Sequence, residues 1–136
     1  MLIDNKIISV LTIKDYTKSL DLAKCLYDSG IVNLDIRLRT QQSKKAIELI
    51  KNSKFKFNIG IGTVLSLEDL YFVKSLGIKY AYSPNTDVKI LNNANKLDIQ
   101  FIPGISNIDN VISAAKCNCK YLKYYPAEKS GGVSNL

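Results

Sequence analysis

Two periodicities alternate along the chain. Short apolar runs of strand length are each followed by a stretch whose apolar residues recur every three or four positions. Residues 6–13 form the first such run. Residues 15–28 follow as a helix with Leu20, Leu22, Ala23, Leu26 and Tyr27 as its apolar stripe and Gly30 as its stop. Residues 31–38 predict a second strand. Thr40 is placed to cap a helix that runs to Ser53 and carries Ala46, Ile47, Leu49 and Ile50 on one side. Residues 55–61 predict a third strand. Ser66 caps the next helix, to Leu76, with Glu68 and Asp69 in the first turn where the helix dipole favours acids. The pairing repeats with strand 78–82 and helix 87–96, then strand 99–102 and helix 107–115. Residues 120–125 predict a sixth strand.

A strand and helix repeated every 20 to 25 residues or so indicates a parallel sheet with crossover helices, hence an α/β fold. The second strand decides between an open sheet and a barrel. In Leu34-Asp35-Ile36-Arg37-Leu38-Arg39 the apolar residues share one face, while Asp35, Arg37 and Arg39 share the other. A strand inside an open parallel sheet is covered by helices on both faces and reads apolar on both. A charged face fits a (β/α) barrel of TIM type, whose interior carries polar groups near its upper end. The alternative is an edge strand with one solvated face. About six of the eight strand–helix units of such a barrel are present, in a single domain over residues 1–136.

Composition narrows the chemistry. The 19 basic residues exceed the 12 acidic ones, giving a net charge of +7. The lysines are scattered, with Lys44-Lys45 the one doublet, which predicts a solvated surface rather than a nucleic-acid face and also suits a cleft for a small anionic substrate. The absence of histidine excludes Ser-His-Asp and Cys-His catalysis. Cys25, Cys117 and Cys119 supply too few ligands for a metal site and form no disulfide framework, so no metal is expected and a cytoplasmic location is. Met1-Leu2-Ile3-Asp4-Asn5-Lys6 does not begin a secretory signal, and no apolar stretch approaches the roughly 18 residues that span a bilayer.

The segment Tyr121-Leu122-Lys123-Tyr124-Tyr125-Pro126-Ala127-Glu128 places a lysine within an apolar, aromatic strand. Desolvation disfavours an ammonium, and a neutral amine attacks ketones. Alternation puts Lys123 on one face with Tyr121 and Tyr125. Other strand ends carry small polar or turn-forming clusters: Arg39-Thr40, Gly60-Ile61-Gly62-Thr63, Ser83-Pro84-Asn85 and Pro103-Gly104-Ile105-Ser106. Singly, each reads as a tight loop. Gly60 and Gly62 lack the third glycine of a dinucleotide motif.

Together these segments resemble a known family. Leu34-Asp35-Ile36-Arg37-Leu38-Arg39-Thr40, Gly60-Ile61-Gly62-Thr63-Val64-Leu65, Tyr82-Ser83-Pro84, Phe101-Ile102-Pro103-Gly104-Ile105-Ser106, and Leu122 to Glu128 followed by Gly131-Gly132-Val133 are similar, in order and spacing, to the 2-keto-3-deoxy-6-phosphogluconate aldolases, which also act as 4-hydroxy-2-oxoglutarate aldolases. The resemblance implies a class I lyase of the Entner-Doudoroff pathway on a (β/α)8 barrel, with no metal or cofactor. It implies a homotrimer whose partner is a small keto acid, cleaved to pyruvate and an aldehyde, and neither nucleic acid nor membrane. Lys123 matches the Schiff-base lysine, Arg39 the arginine that binds the pyruvate carboxylate, and Thr63 a threonine beside that group. Asp35 stands where the family has its general acid/base glutamate. Pro84 matches a proline that lines the pocket, and Tyr125 a position often held by phenylalanine.

Three departures carry expectations of their own. Asp35 is one methylene shorter than glutamate. Arg37 replaces a small residue, and beside Asp35 it is expected to pair with the carboxylate and lower its pKa. The sequence also carries no counterpart of the last two strand–helix units, which hold the family's phosphate-binding loop, so small unphosphorylated substrates are expected. The alternative is a catalytically inactive or split remnant that acts as a binding domain.

Overall fold

The computed structural model describes residues 7–135; Lys6 of the first predicted strand, the hexapeptide read for a signal, and Leu136 lie outside the described residues. Five parallel strands lie in sequence order: β1 (Ser9–Leu11), β2 (Asn33–Arg37), β3 (Asn58–Gly62), β4 (Tyr80–Tyr82) and β5 (Gln100–Ile102). Pro103 then interrupts the ladder, because proline has no N–H to donate. The chain resumes as β6 (Gly104–Ile105), which pairs in parallel with β7 (Lys123–Tyr124). Lys123 donates its backbone N–H to Pro103 at 2.9 Å and Tyr125 to Ile105 at 2.9 Å, so the expected sixth strand lies against the continuation of β5. Among the described residues β1 and β7 are not paired with each other. The architecture is that of a TIM-type barrel, open between those two edges.

The crossover helices are α1 (Ser19–Asp28), α2 (Ser43–Lys51), α3 (Leu67–Ser75), α4 (Val88–Lys96) and α5 (Ile108–Lys116). Three begin at a side-chain cap, of which Ser66 is the one that the sequence marks. The side chain of Ser66 accepts from the Asp69 N–H, that of Asp87 from Lys89 and Ile90, and that of Asn107 from Asn110. Thr40 does not cap α2, whose first flanking residue is Gln42. Its hydroxyl donates instead to the Ile13 carbonyl at 2.6 Å, tying the end of β1 to the turn after β2. No helix among the described residues is long and apolar enough to cross a membrane.

Alternation of side chains sorts the sheet into two faces. Leu34 and Ile36 of β2, Ile59 and Ile61 of β3, Ala81 of β4 and Phe101 of β5 enter one core with the inward stripes of the helices, among them Ile47, Ile50, Leu70, Val73, Leu91 and Ala94. A fully buried aliphatic side chain contributes roughly 1.5–3 kcal/mol, so this layer fixes which set of strand residues faces the helices. The remaining set lines the concave face, where Tyr82 and Ile102 pack with Ile8, Tyr80 and Tyr121. Phe55 and Phe57, expected to open the third strand, precede it; their rings pack against Tyr27, tilted and edge-to-face, at 5.3 and 5.6 Å between centroids.

Gly104 is where the strand tips are drawn together. A β-carbon there would collide with the carbonyl of Pro84, and Thr86 donates to the Gly104 carbonyl at 2.8 Å. Gly104→Ala is expected to cost about 1–3 kcal/mol, as overpacking against backbone does. A fall in the urea midpoint with an unchanged denaturant slope checks this.

Candidate active site

The concave face is built by register. Asp35 pairs with Val10 on one side and Gly60 on the other, Arg37 pairs with Gly62, and Gly60 pairs with Tyr80. Tyr82 pairs with Ile102, and Gly104 with Lys123. At the amino-terminal end of the strands Asn58 donates to the Asn33 side chain at 2.9 Å, a polar crosslink below the site. Beyond the carboxyl-terminal ends lie Arg39, Thr63 and Pro84, after β2, β3 and β4.

The two glycines of β3 have a role that the sequence did not reveal. They lie within the strand, not in the turn after it. A β-carbon at Gly60 would run into the Tyr82 ring, and one at Gly62 into the Asp35 carboxylate and the Arg37 stem. Missing side chains on β3 are therefore the space that the side chains of β2 and β4 occupy.

Asp35 is 5% exposed, and its Oδ1 has no hydrogen-bond partner. Burial raises its pKa above the ordinary aspartate value, and the charges of Lys123, Arg37 and Arg39, in that order of influence, pull the other way. The expected lowering by Arg37 is thus present but outweighed: the guanidinium does not bond Oδ1, and removing the carboxylate from water dominates. The carboxyl group holds its proton more readily than an exposed aspartate, the direction that suits proton exchange nearer neutral pH.

Lys123 is half-buried, and its Nζ lies 5.1 Å from the centre of the Tyr125 ring, a cation–π distance. Of the charges that act on Asp35, that of Lys123 comes first. Arg39 is exposed beyond the end of β2, near enough for its charge to reach Asp35. Thr63 adopts φ +62°, a left-handed conformation rare for a β-branched residue and costing about 1–3 kcal/mol. It is held between two cross-strand bonds, Leu38 to Gly62 at 2.8 Å and Val64 to Tyr82 at 3.0 Å. Pro84 is half-buried, with its carbonyl on Gly104. Arg39, Thr63, Pro84 and Tyr125 therefore follow the carboxyl ends of β2, β3, β4 and β7, while Asp35 lies at the middle of β2 and Lys123 opens β7. The sequence reading missed Tyr82, a buried phenol on the same concave face; the alternation Tyr80-Ala81-Tyr82, with alanine on the helix side, was the available signal. No cluster of three metal-ligating side chains occurs among the described residues.

Because folding raises the Asp35 pKa, the folded state binds that proton more tightly than the unfolded chain does. The ionised carboxylate therefore weakens the fold at neutral pH, and this penalty is relieved as pH falls through the raised value. Asp35→Asn is expected to unfold at higher urea than the parent at pH 7. The gap closes as pH approaches 3.8, where the unfolded aspartate also takes up its proton. Urea titrations of both proteins across this range measure it.

A family model describing KDPG and KHG aldolases matches residues 1–136. The chain is 36% identical over 130 residues to a 2-dehydro-3-deoxy-phosphogluconate aldolase of Pseudoalteromonas atlantica, covering 96% of this chain and 60% of that protein. It is 32% identical over 130 residues to the KHG/KDPG aldolase of Escherichia coli, covering 96% and 61%. The crystal structure of the Zymomonas mobilis 2-keto-3-deoxy-6-phosphogluconate aldolase with 3-phosphoglycerate superposes with a TM-score of 0.87 at 27% identity, over 93% of this chain and 60% of that one. The Legionella pneumophila KDPG aldolase, with pyruvate captured as a covalent carbinolamine, gives 0.87 at 32% identity over 93% and 61%. The chain thus spans about three-fifths of the length of the relatives it matches. With the family model matched from end to end, the chain belongs to the KDPG and KHG aldolase family.

Proposed function

We propose that residues 1–136 form a single catalytic domain of an aldehyde-lyase that cleaves a 4-hydroxy-2-keto acid, of the 2-keto-3-deoxy-6-phosphogluconate or 4-hydroxy-2-oxoglutarate type, into pyruvate and an aldehyde. The observation that carries this reading is the convergence of an amine and a buried carboxylate on one concave face: of the charges acting on Asp35, that of Lys123 is the strongest. The pyruvate carbinolamine of the Legionella relative supports it, since carbinolamine formation needs an amine.

In this reading Arg39 grips the substrate carboxylate, with Thr63 beside that group, and Pro84 and Tyr125 line the pocket. The Lys123 amine adds to the keto carbon, and loss of water from the carbinolamine leaves a protonated imine. Asp35 takes the proton of the C4 hydroxyl, directly or through one water, as C4–O becomes a carbonyl. The C3–C4 bond breaks and its electron pair enters the enamine, with the imine nitrogen as the sink. The enamine carbon then takes up a proton, and water releases pyruvate from Lys123. The net positive charge of the chain favours such an anion. A cytoplasmic homo-oligomer, a trimer, is proposed from family membership.

Incubation with pyruvate and sodium borohydride is expected to leave a reduced adduct on Lys123, located by mass spectrometry. Lys123→Ala is expected to abolish the adduct while keeping the parent's unfolding free energy to within about 1 kcal/mol, as substitutions outside the core do. A folded parent that forms no adduct contradicts the reading. Arg39→Ala is expected to raise the pyruvate concentration for half-maximal trapping about tenfold to a hundredfold, the loss of a charge-assisted hydrogen bond.

A further inference from the structure

Tyr82 contributes two things to the concave face, and packing explains one of them. Its ring fills the apolar cluster with Ile102, against Ile8, Tyr80 and Tyr121. A phenylalanine ring would fill the same space. Its hydroxyl is buried and has no hydrogen-bond partner, although buried tyrosine hydroxyls normally find one. Leaving such a group unpaired costs roughly 1–3 kcal/mol. Only three buried side-chain polar atoms among the described residues lack a partner; two of them, the Tyr82 hydroxyl and Asp35 Oδ1, lie on this face.

Their placement is set by the glycines of β3. The Tyr82 hydroxyl oxygen stands 3.2 Å from where a β-carbon of Gly60 would be, and Asp35 Oδ1 occupies the place of a β-carbon at Gly62. Residues 60 and 62 project to the same side of one strand, roughly 7 Å apart. One hydroxyl group making two hydrogen bonds of about 2.8 Å each spans at most about 5.6 Å, and the two side chains are close enough for the Asp35 charge to act on the Tyr82 phenol. The two orphaned atoms are also chemically unlike. Burial, then the Asp35 charge and Tyr80, raise the Tyr82 pKa and keep the phenol protonated, so it is a donor. A carboxylate is an acceptor. A donor and an acceptor left unpartnered on one face match a hydroxyl, which both accepts and donates.

We propose that Tyr82 is a specificity-determining residue: its O–H and the Asp35 carboxylate together seat the C4 hydroxyl of the keto acid held on Lys123. The assignment rests on the Schiff-base reading above. During cleavage Asp35 removes the hydroxyl proton, the C3–C4 bond breaks, and the emerging aldehyde oxygen accepts a hydrogen bond from Tyr82, which keeps its own proton. Negative charge that builds on this oxygen before the bond breaks is met by a fixed donor. The other charged groups that act on Asp35 are Arg37 and Arg39.

The test compares two keto acids that differ in this hydroxyl, 4-hydroxy-2-oxoglutarate and 2-oxoglutarate. Each is trapped on Lys123 with borohydride over a range of concentrations, and intact and pyruvate-derived adducts are summed. The parent is expected to favour the hydroxylated acid by about tenfold or more, because a site with a buried donor and acceptor rejects an analogue that leaves them unpaired. Tyr82→Phe is expected to bring the preference close to unity, still to be trapped by pyruvate, which has no such hydroxyl, and to unfold no more easily than the parent. A parent without preference, or a variant that keeps it, overturns the assignment. A variant that no longer unfolds cooperatively also overturns it, since the hydroxyl would then be structural. A parent that pyruvate does not trap overturns the Schiff-base reading itself, and the pyruvate control reports this separately from the preference.

Discussion

The arrangement depends on the alternation of side chains in a parallel sheet that is covered by helices on one face. Leu34, Ile36, Ile59, Ile61, Ala81 and Phe101 are committed to the helical layer by burial. Their neighbours in sequence have no choice of side. Asn33, Asp35 and Arg37, Gly60 and Gly62, Tyr80 and Tyr82 must face the concavity. A one-residue slip of any strand would exchange the two sets and put Asp35 among the aliphatic side chains. The apolar layer that stabilises the fold therefore also holds the polar face in register.

The carboxyl ends of the strands are fastened to one another in sequence. Leu38 bonds Gly62, Val64 bonds Tyr82, Ser83 bonds Ile102, and Lys123 bonds Pro103. Each link joins the tip of one strand to its neighbour, so residues from β2 to β7 share one frame. Thr63 keeps its left-handed backbone within that frame, where a free loop would relax it. Backbone strain at one tip and close approach of Pro84 to Gly104 at another are both sustained by the same ladder.

Electrostatics within this frame run in two directions. Desolvation pushes the Asp35 carboxyl toward its protonated form, and three cations push it back. A group balanced in this way exchanges a proton more readily than one locked in an ion pair, and Oδ1 is in fact unbonded. The same cations favour an anionic keto acid. Burial of a carboxylate is thus reconciled with the fold by neighbours that also suit the ligand.

Most of the scaffold was legible in the sequence. Apolar periodicity and the cap at Ser66 located the helices, because both are local properties of side chains. The strand-end motifs identified the family and the candidate residues, and the charged face of β2 pointed to a barrel interior. Three things were decided only by tertiary structure. Thr40 does not cap its helix and donates its hydroxyl to Ile13, a partner 27 residues away. Gly60 and Gly62 look like turn residues until β2 and β4 are laid beside them, where they become the room for Asp35 and Tyr82. The Asp35 pKa follows burial rather than Arg37, since desolvation depends on everything packed around a group while adjacency names one neighbour. Local sequence determined which elements form and which face each residue takes. Contacts between strands distant in sequence determined which polar atoms are buried without partners, and so where the chemistry is placed.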